Sequence, residues 1–436
     1  MLKLVGALIS FVIIIAFFIL INYSNENTYF VKNNTNTKKM FTQYLDYKNS
    51  MNLKNFPLEN ISCFTIHSPR ETIKKNEENL ITPASVQKLF TVEALEKILS
   101  EKNISVNDTI KTKFYFEPQS NSLYIEGGYD PFIMNQPYID ILNTNERLVG
   151  FKHTSFESIV NQLQQKSLPQ ISQIVVLGNN NYMRQGWTKA ETSFVGVPKA
   201  ISINQGIDEL PRGKLSENPT VTFTNELANA LNLGNIGVTE VNPEQFAIEK
   251  KLILEIQSIS YKEIISQMLI QSDNYSAEMM LDLSLNLAQE PNIDSLFKKY
   301  SINSGGVAVD GSGLSPGNKA TCDNVFDSLN VLEDNLDSAP KNYLSISGVN
   351  GTLMNRYAKE LKGSVIAKTG SIKNVSSLAG YFTLSGDSST TFVALINREN
   401  PEPNELAKKQ VDSLIQYLRE QQINEKQITK LEETYV

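Results

Sequence analysis

The sequence predicts an α/β (α+β) protein: one sheet of an N-terminal strand and several C-terminal strands, covered by helices and interrupted by an inserted module. Three observations predict it. A short, partly β-branched run at residues 61–66 is followed by apolar residues at helical spacing from Ser85 onward. From about Asp108 to Phe246 strand-like pieces alternate with turn signals. Beyond that stretch the pattern is helical again and closes with three strand-like runs and a helix.

Taken in order, residues 4–21 form an uncharged, almost wholly apolar run behind Lys3, just long enough to span a bilayer. The run is either an uncleaved transmembrane anchor or a cleavable signal peptide. No Ala-x-Ala-like site precedes Asn22, Tyr23 and Ser24, which favours the anchor. Either way the remainder is expected to be exported. No Cys follows the run, which removes a lipoprotein reading. Residues 22–39 are polar and Asn-rich, without apolar periodicity, and read as a tether; globular structure is expected from about Met40.

After the strand at 61–66, Pro83 precedes Ser85, and Leu89, Val92, Leu95 and Leu99 recur at helical spacing, so Ser85 is expected in the first turn of a helix. Within the inserted stretch, residues 113–116, 123–125 and 174–177 read as strands, and Gly127-Gly128-Tyr129-Asp130-Pro131 as a turn. Ile264, Ile265, Met268 and Leu269, then residues 279–285, restore a helical pattern. Residues 364–367, 379–384 and 391–396 read as successive strands, and 406–418 as a helix with Leu414, Ile415 and Leu418 on its apolar side. The expected division is 1–22 anchor or signal, 23–39 linker, 40–107 with 247–425 as one domain, and 108–246 as the insertion.

The 436 residues suffice for two or three domains, and a net charge of -7 argues against a nucleic-acid binder. Cys63 and Cys322 are the only cysteines; they form one disulfide or remain two buried thiols. With His67 and His153 they show no ligand-like spacing, so no metal site is expected, and no Ser-His-Asp triad either.

Three strings carry the chemistry: Ser85-Val-Gln-Lys88, Ser272-Asp273-Asn274 and Lys368-Thr369-Gly370. Each alone is weak. Ser-x-x-Lys recurs at Ser295–Lys298 and Ser338–Lys341, and Ser-x-Asn at Ser202 and Ser301. The order and the local context give the set its weight. Residues three apart on a helix share a face, so Lys88 can reach the Ser85 hydroxyl. A serine needs a base to become a nucleophile, and burial or a second cation such as Lys368 favours the neutral amine that can serve. The helix start offers the Ser85 N–H to an oxyanion, and the Ser371 N–H is the expected second donor. Ser272 is placed to pass a proton to a leaving amine, and Asn274 to bond a substrate amide. Lys368 and Thr369 suit a substrate carboxylate, and Gly370 a close approach to the strand edge. The expectation is acyl transfer on peptides ending in a free carboxylate, or on β-lactams.

With these strings the chain resembles the penicillin-binding protein 4 family of D-Ala-D-Ala carboxypeptidases and endopeptidases, over about residues 45–420. The ordered triple is a recognised signature of penicillin-binding proteins and class A β-lactamases. Asp310-Gly-Ser-Gly-Leu-Ser315, Gly348-Val-Asn-Gly-Thr-Leu353, Ser376-Ser-Leu-Ala-Gly380 and Gly127-Gly-Tyr-Asp-Pro131 extend the likeness. The resemblance implies a β-lactamase/transpeptidase-like domain with an inserted accessory domain, and Ser85 as nucleophile with Lys88 as its base. It also implies peptidoglycan stem peptides as substrate, β-lactams as covalent inhibitors and no cofactor. Two departures stand out. After Asn204 the chain passes quickly through 210–219, where relatives often hold a further domain, so one inserted domain is expected. Relatives commonly place an Asp after the strand matching 174–177; here Gly178-Asn-Asn-Asn181 stands instead. The competing readings are a serine β-lactamase and a non-catalytic peptidoglycan-binding envelope protein.

Overall fold

The computed structural model describes Leu58 and, from Ser62 to Tyr435, every residue except 70, 179–194, 209, 211–212, 235, 242–250, 304, 336–339, 385–388 and 399–403. The apolar run 4–21, the tether 22–39, the start at Met40, residues 179–181 and Ser338 therefore lie outside the described residues.

The chain opens with β1 (Cys63–His67) and β2 (Thr72–Lys75), then a 3-10 turn over Ala84–Gln87 that leads into α1 (Lys88–Glu101). The next stretch holds β3 (Thr109–Glu117), β4 (Ser122–Glu126), β5 (Ile133–Met134), α2 (Gln136–Asn143), β6 (Thr154–Ser155), α3 (Phe156–Gln164) and β7 (Gln173–Leu177). It continues with β8 (Ile207–Asp208), β9 (Lys214–Leu215), α4 (Pro219–Ala230), β10 (Gly237–Val241) and β11 (Lys251–Ser260). Helices α5 (Tyr261–Gln271), α6 (Asn274–Ala288), α7 (Ile293–Tyr300) and α8 (Cys322–Asn335) follow. The chain ends with β12 (Ser345–Ile346), β13 (Val365–Ile372), β14 (Val375–Phe382), β15 (Thr390–Asn397) and α9 (Asn404–Tyr435).

The larger sheet runs β12-β13-β14-β15-β1-β2, antiparallel throughout, so the N-terminal strand closes on the C-terminal ones. Successive residues of a strand face opposite sides, and the two sides are covered separately. Cys63, Val393 and Leu395 belong to the main helical core. Ile66, Phe392 and Ala394 meet Val411, Leu414 and Ile415 of α9. Covered on both sides, β14 is buried along its whole length. On the helical side α1 is packed by α6, α7 and α8, which draws Lys88, Glu93 and Glu96 inside with its apolar residues. Cys63 of β1 and Cys322 at the start of α8 form a disulfide, Cα to Cα 6.0 Å.

The second sheet, β10-β7-β4-β3-β11, has its own core. Phe114, Leu123, Ile125, Ile174 and Val176 face Phe156, Ile159 and Leu163 of α3 and Phe223 and Leu227 of α4. Its strand β11 pairs with β3 from Lys251↔Phe116 to Ser260↔Thr109, so this sheet runs past Phe246, the boundary expected from sequence. Buried Leu254 and Ile256, followed in turn by Glu255 and Gln257, give a short period-two signal that places the strand there.

Candidate active site

Ser85 lies in the 3-10 turn, one turn before the α-helix proper, whereas the sequence placed it in the helix's first turn. The turn is held against two backbones that lack side chains. Gly370 of β13 faces it: an added Cβ would lie 2.8 Å from the Pro83 carbonyl oxygen and 3.2 Å from Ala84 Cβ. Gly313 lies closer still, its Cβ position 1.9 Å from the Ala84 carbonyl oxygen. Ala84 itself has φ 48°, a conformation that non-glycine residues adopt at a cost. Gly370 thus serves packing behind the serine as well as the strand edge.

Lys88 is fully buried, and its Nζ donates to Ser85 Oγ (3.2 Å), Asn274 Oδ1 (2.8 Å) and the Ser312 carbonyl (2.6 Å). Burial pulls its pKa down to about 8, against the opposing carboxylates of Asp273, Asp310 and Glu278. The loop carrying Ser312 is pinned by two of those carboxylates. Glu278 accepts from the Ser312 N–H (2.8 Å), and Asp310 from Gly313 N–H and Ser315 N–H (both 2.6 Å). Burial, and then the neighbouring Glu278 charge, push the Asp310 carboxyl up to about 7.

The second string forms the corner between two helices. Ser272 ends α5 in the left-handed region, φ 60°, Asp273 caps α6 by accepting from Ser276 N–H (2.6 Å), and Asn274 opens α6. Asp is a favoured N-cap, whereas the left-handed position that Ser272 takes more often holds Gly or Asn. Asn274 gives its oxygen to Lys88, which leaves its amide N–H groups to donate.

Lys368 is also fully buried; its Nζ donates to Ser272 Oγ (2.8 Å) and to the Thr369 carbonyl (2.7 Å). Burial, then the charges of Lys88 and Arg147, hold its pKa well below that of an ordinary amine. Thr369 donates through Oγ1 to Thr352 Oγ1 (2.8 Å), which in turn lies 3.0 Å from Ser345 Oγ. Because β12 pairs only with Ile366 and Ala367, the β13 edge from Lys368 to Ile372 has no strand beside it among the described residues, and Ser371 is exposed there.

All three strings therefore converge on Ser85 and Lys88, with Ser371 further along the same β13 edge. The decoy Ser295–Lys298 does not: Lys298 pairs with Asp294 (2.7 Å) on the surface of α7. His67 packs edge-on to Phe326, and His153 lies beside the Phe151 carbonyl, both outside the site. Among the described residues no cluster of metal-ligating side chains occurs, and no helix is long and apolar enough to cross a membrane. Sequence reasoning missed the Ser312 carbonyl, Thr352 and Glu278. The first two lie within strings already singled out; a backbone carbonyl carries no residue signal of its own.

This is the fold of the penicillin-binding serine enzymes. Penicillin-binding protein 4 from Haemophilus influenzae superposes with a TM-score of 0.61 at 18% identity, covering 84% of this chain and 99% of that one. A predatory peptidoglycan endopeptidase from Bdellovibrio bacteriovorus superposes at 0.56 with 16% identity, covering 82% and 92%. Residues 202–418 match the D-Ala-D-Ala carboxypeptidase 3 (S13) family. That stretch holds the second and third strings; Ser85 and Lys88 precede it. In sequence, D-alanyl-D-alanine carboxypeptidase DacB of Haemophilus influenzae is 30% identical over 149 residues, 31% of this chain and 31% of the relative. Carboxypeptidase DacB of Mycolicibacterium smegmatis is 29% identical over 184 residues, 38% of this chain and 39% of that protein. The chain thus spans about a third of the length of the curated relatives it matches.

Proposed function

We propose that this protein is a serine D-Ala-D-Ala carboxypeptidase and endopeptidase that acts on peptidoglycan stem peptides through an acyl-enzyme on Ser85, and that penicillins acylate the same residue. The observation that carries the reading is a buried lysine within hydrogen-bond reach of a serine on a clamped turn. The match of residues 202–418 to the S13 family, and a Bdellovibrio neighbour described as acylated by penicillin G, support it.

Neutral Lys88 takes the Ser85 proton as Oγ attacks the penultimate D-Ala carbonyl. The Ser85 and Ser371 N–H groups receive the oxyanion. The C–N bond breaks as the proton returns to the leaving amine, through Ser272. Water then cleaves the ester. Asn274 donates to the substrate amide, and Thr369 binds the terminal carboxylate. A carboxylate arriving beside Lys368 favours its ammonium form. The second sheet, with its separate core, acts as an accessory domain that narrows the cleft. The envelope is the expected setting, with residues 4–21 as the membrane tether. Mass spectrometry after penicillin treatment is expected to place the adduct on the peptide containing Ser85, and Ser85→Ala to abolish it. An adduct on Ser295 or Ser338 would overturn the assignment.

A further inference from the structure

Thr352 stands where β12 has ended and β13 runs on. Strand β12 pairs with β13 at Ser345↔Ala367 and Ile346↔Ile366, and residues 348–353 then fold back to set Thr352 beside Thr369. The fold-back is tightly built. Asn350 Oδ1 accepts from the Ile346 N–H (2.8 Å), and the Leu353 carbonyl from the Gly348 N–H (3.0 Å). Gly351, with φ +57°, lies against α5: an added Cβ would be 2.3 Å from the Ile270 carbonyl oxygen and 2.6 Å from Ser345 Oγ. Ile270 is two residues ahead of Ser272. The Thr352 hydroxyl therefore stands between the end of α5, which carries the second string, and the strand that carries the third.

The protons along this row can be assigned, because a hydroxyl has one to give. Ser345 Oγ gives its proton to the Ile270 carbonyl (2.7 Å), which has none to return. Toward Thr352 it can therefore only accept, from the backbone N–H (3.2 Å) and from Oγ1 (3.0 Å). While Thr352 Oγ1 donates to Ser345, it can only accept from Thr369 Oγ1 (2.8 Å). Every proton then points from the substrate edge into the protein, and Thr369 has none left for a carboxylate. A second arrangement moves no heavy atom. Thr352 turns its proton to Thr369 Oγ1, its N–H still supplies Ser345, and Thr369 turns its own proton outward.

We propose that Thr352 is a positioning residue for the carboxylate anchor: by reversing its own proton it releases the Thr369 hydroxyl to the substrate and backs it with a donor. This rests on the DD-peptidase reading, in which Thr369 meets the terminal carboxylate, and adds a residue from outside the three strings. A hydroxyl that accepts one hydrogen bond donates the next more strongly, because each bond polarises its neighbour. An anionic acceptor gains most from that stronger donor, and a neutral amide gains less. Thr352 thus acts through Thr369 and sharpens the choice of a free carboxylate.

The test measures kcat/KM for an acyl-D-Ala-D-Ala peptide and for its C-terminal amide, and reads the acid-over-amide ratio of each enzyme. Thr352→Val keeps the shape and loses the hydroxyl. It is expected to lower the ratio about three- to tenfold, the span of one neutral hydrogen bond, chiefly through the acid. Thr352→Ser is expected to keep the ratio. With Thr369→Val already in place, Thr352→Val is expected to lower it no further. Ser345→Ala removes the inward acceptor, so it is expected to raise the ratio. An unchanged ratio in Thr352→Val, an equal fall on both peptides, or the same fall without the Thr369 hydroxyl each overturns the proposal. A Ser345→Ala ratio at or below that of wild type overturns it without any Thr352 variant. A penicillin adduct on Ser85 with ratios that the variants leave unmoved sinks only the role of Thr352. No adduct and no cleavage of either peptide sinks the DD-peptidase reading as well.

Discussion

An amine that donates three hydrogen bonds has no lone pair to offer, and Lys88 donates three. To act on Ser85 it must lose one proton and accept where it now donates. With its pKa near 8, the neutral fraction grows as pH rises, so penicillin acylation is expected to climb through about pH 8 and level off above it. Lys88→Ala is expected to slow acylation ~10²–10⁴-fold and to remove that rise. A pre-steady-state acylation series from pH 6 to 10 checks both; a rate that falls with pH would make Lys88 a binding cation. Ser85, Lys88, Ser272, Asn274 and Lys368 were legible because each sits in a short local pattern whose chemistry depends on residue type. The burial of Lys368 was not legible, since it depends on α5, β13 and the loop holding Arg147 meeting in space.

Among the elements, the turn carrying Ser85 depends on what it rests against. Gly313 has φ +78° and no room for a Cβ, Gly370 has an ordinary φ with a tight neighbour, and Gly150 has φ +77° with open space around it. Alanine at the three positions separates backbone strain from displacement of the turn. Gly150→Ala is expected to cost about 1 kcal/mol and leave acylation alone. Gly370→Ala is expected to cost about 1–3 kcal/mol by overpacking and to slow acylation, and Gly313→Ala to do more on both counts. Thermal midpoints and penicillin acylation rates check the order; equal effects at Gly150 and Gly313 would refute the clamp. Element types were largely readable from periodicity, whereas extents were not. The strand read at residues 364–367 continues as β13 through Lys368-Thr-Gly, because pairing with β14 runs on to Ile372↔Val375 whatever the polarity of those residues. Helix α9 continues past Leu418 because nothing from 419 to 435 stops it: the stretch contains neither Gly nor Pro.

At the scale of the molecule, one covalent link and one ladder join distant parts of the chain. The disulfide closes a loop of 259 residues, and ties β1 to the start of α8 on the helical side of the sheet. Sequence left this pairing open because two cysteines so far apart reveal nothing about their distance. Cys63→Ala is expected to cost about 2–5 kcal/mol, seen as a lower thermal midpoint that reductant does not lower further. A midpoint equal to that of the oxidised wild type would show that the link adds nothing.

The place of β15 sets a timetable. It lies between β14 and β1, so it alone joins the sheet's C-terminal half, with Lys368, to its N-terminal half. A chain delivered N-terminus first presents its serine 283 residues ahead of Lys368 (368 − 85), and the joining strand arrives later still. Until then the serine sits among incomplete neighbours, and such a chain is expected to be inert. A chain ending before Thr390 retains all three motifs, yet is expected to take no penicillin label. Labelling of that shortened chain would mean that β13 reaches Ser85 without the strand that binds the halves together.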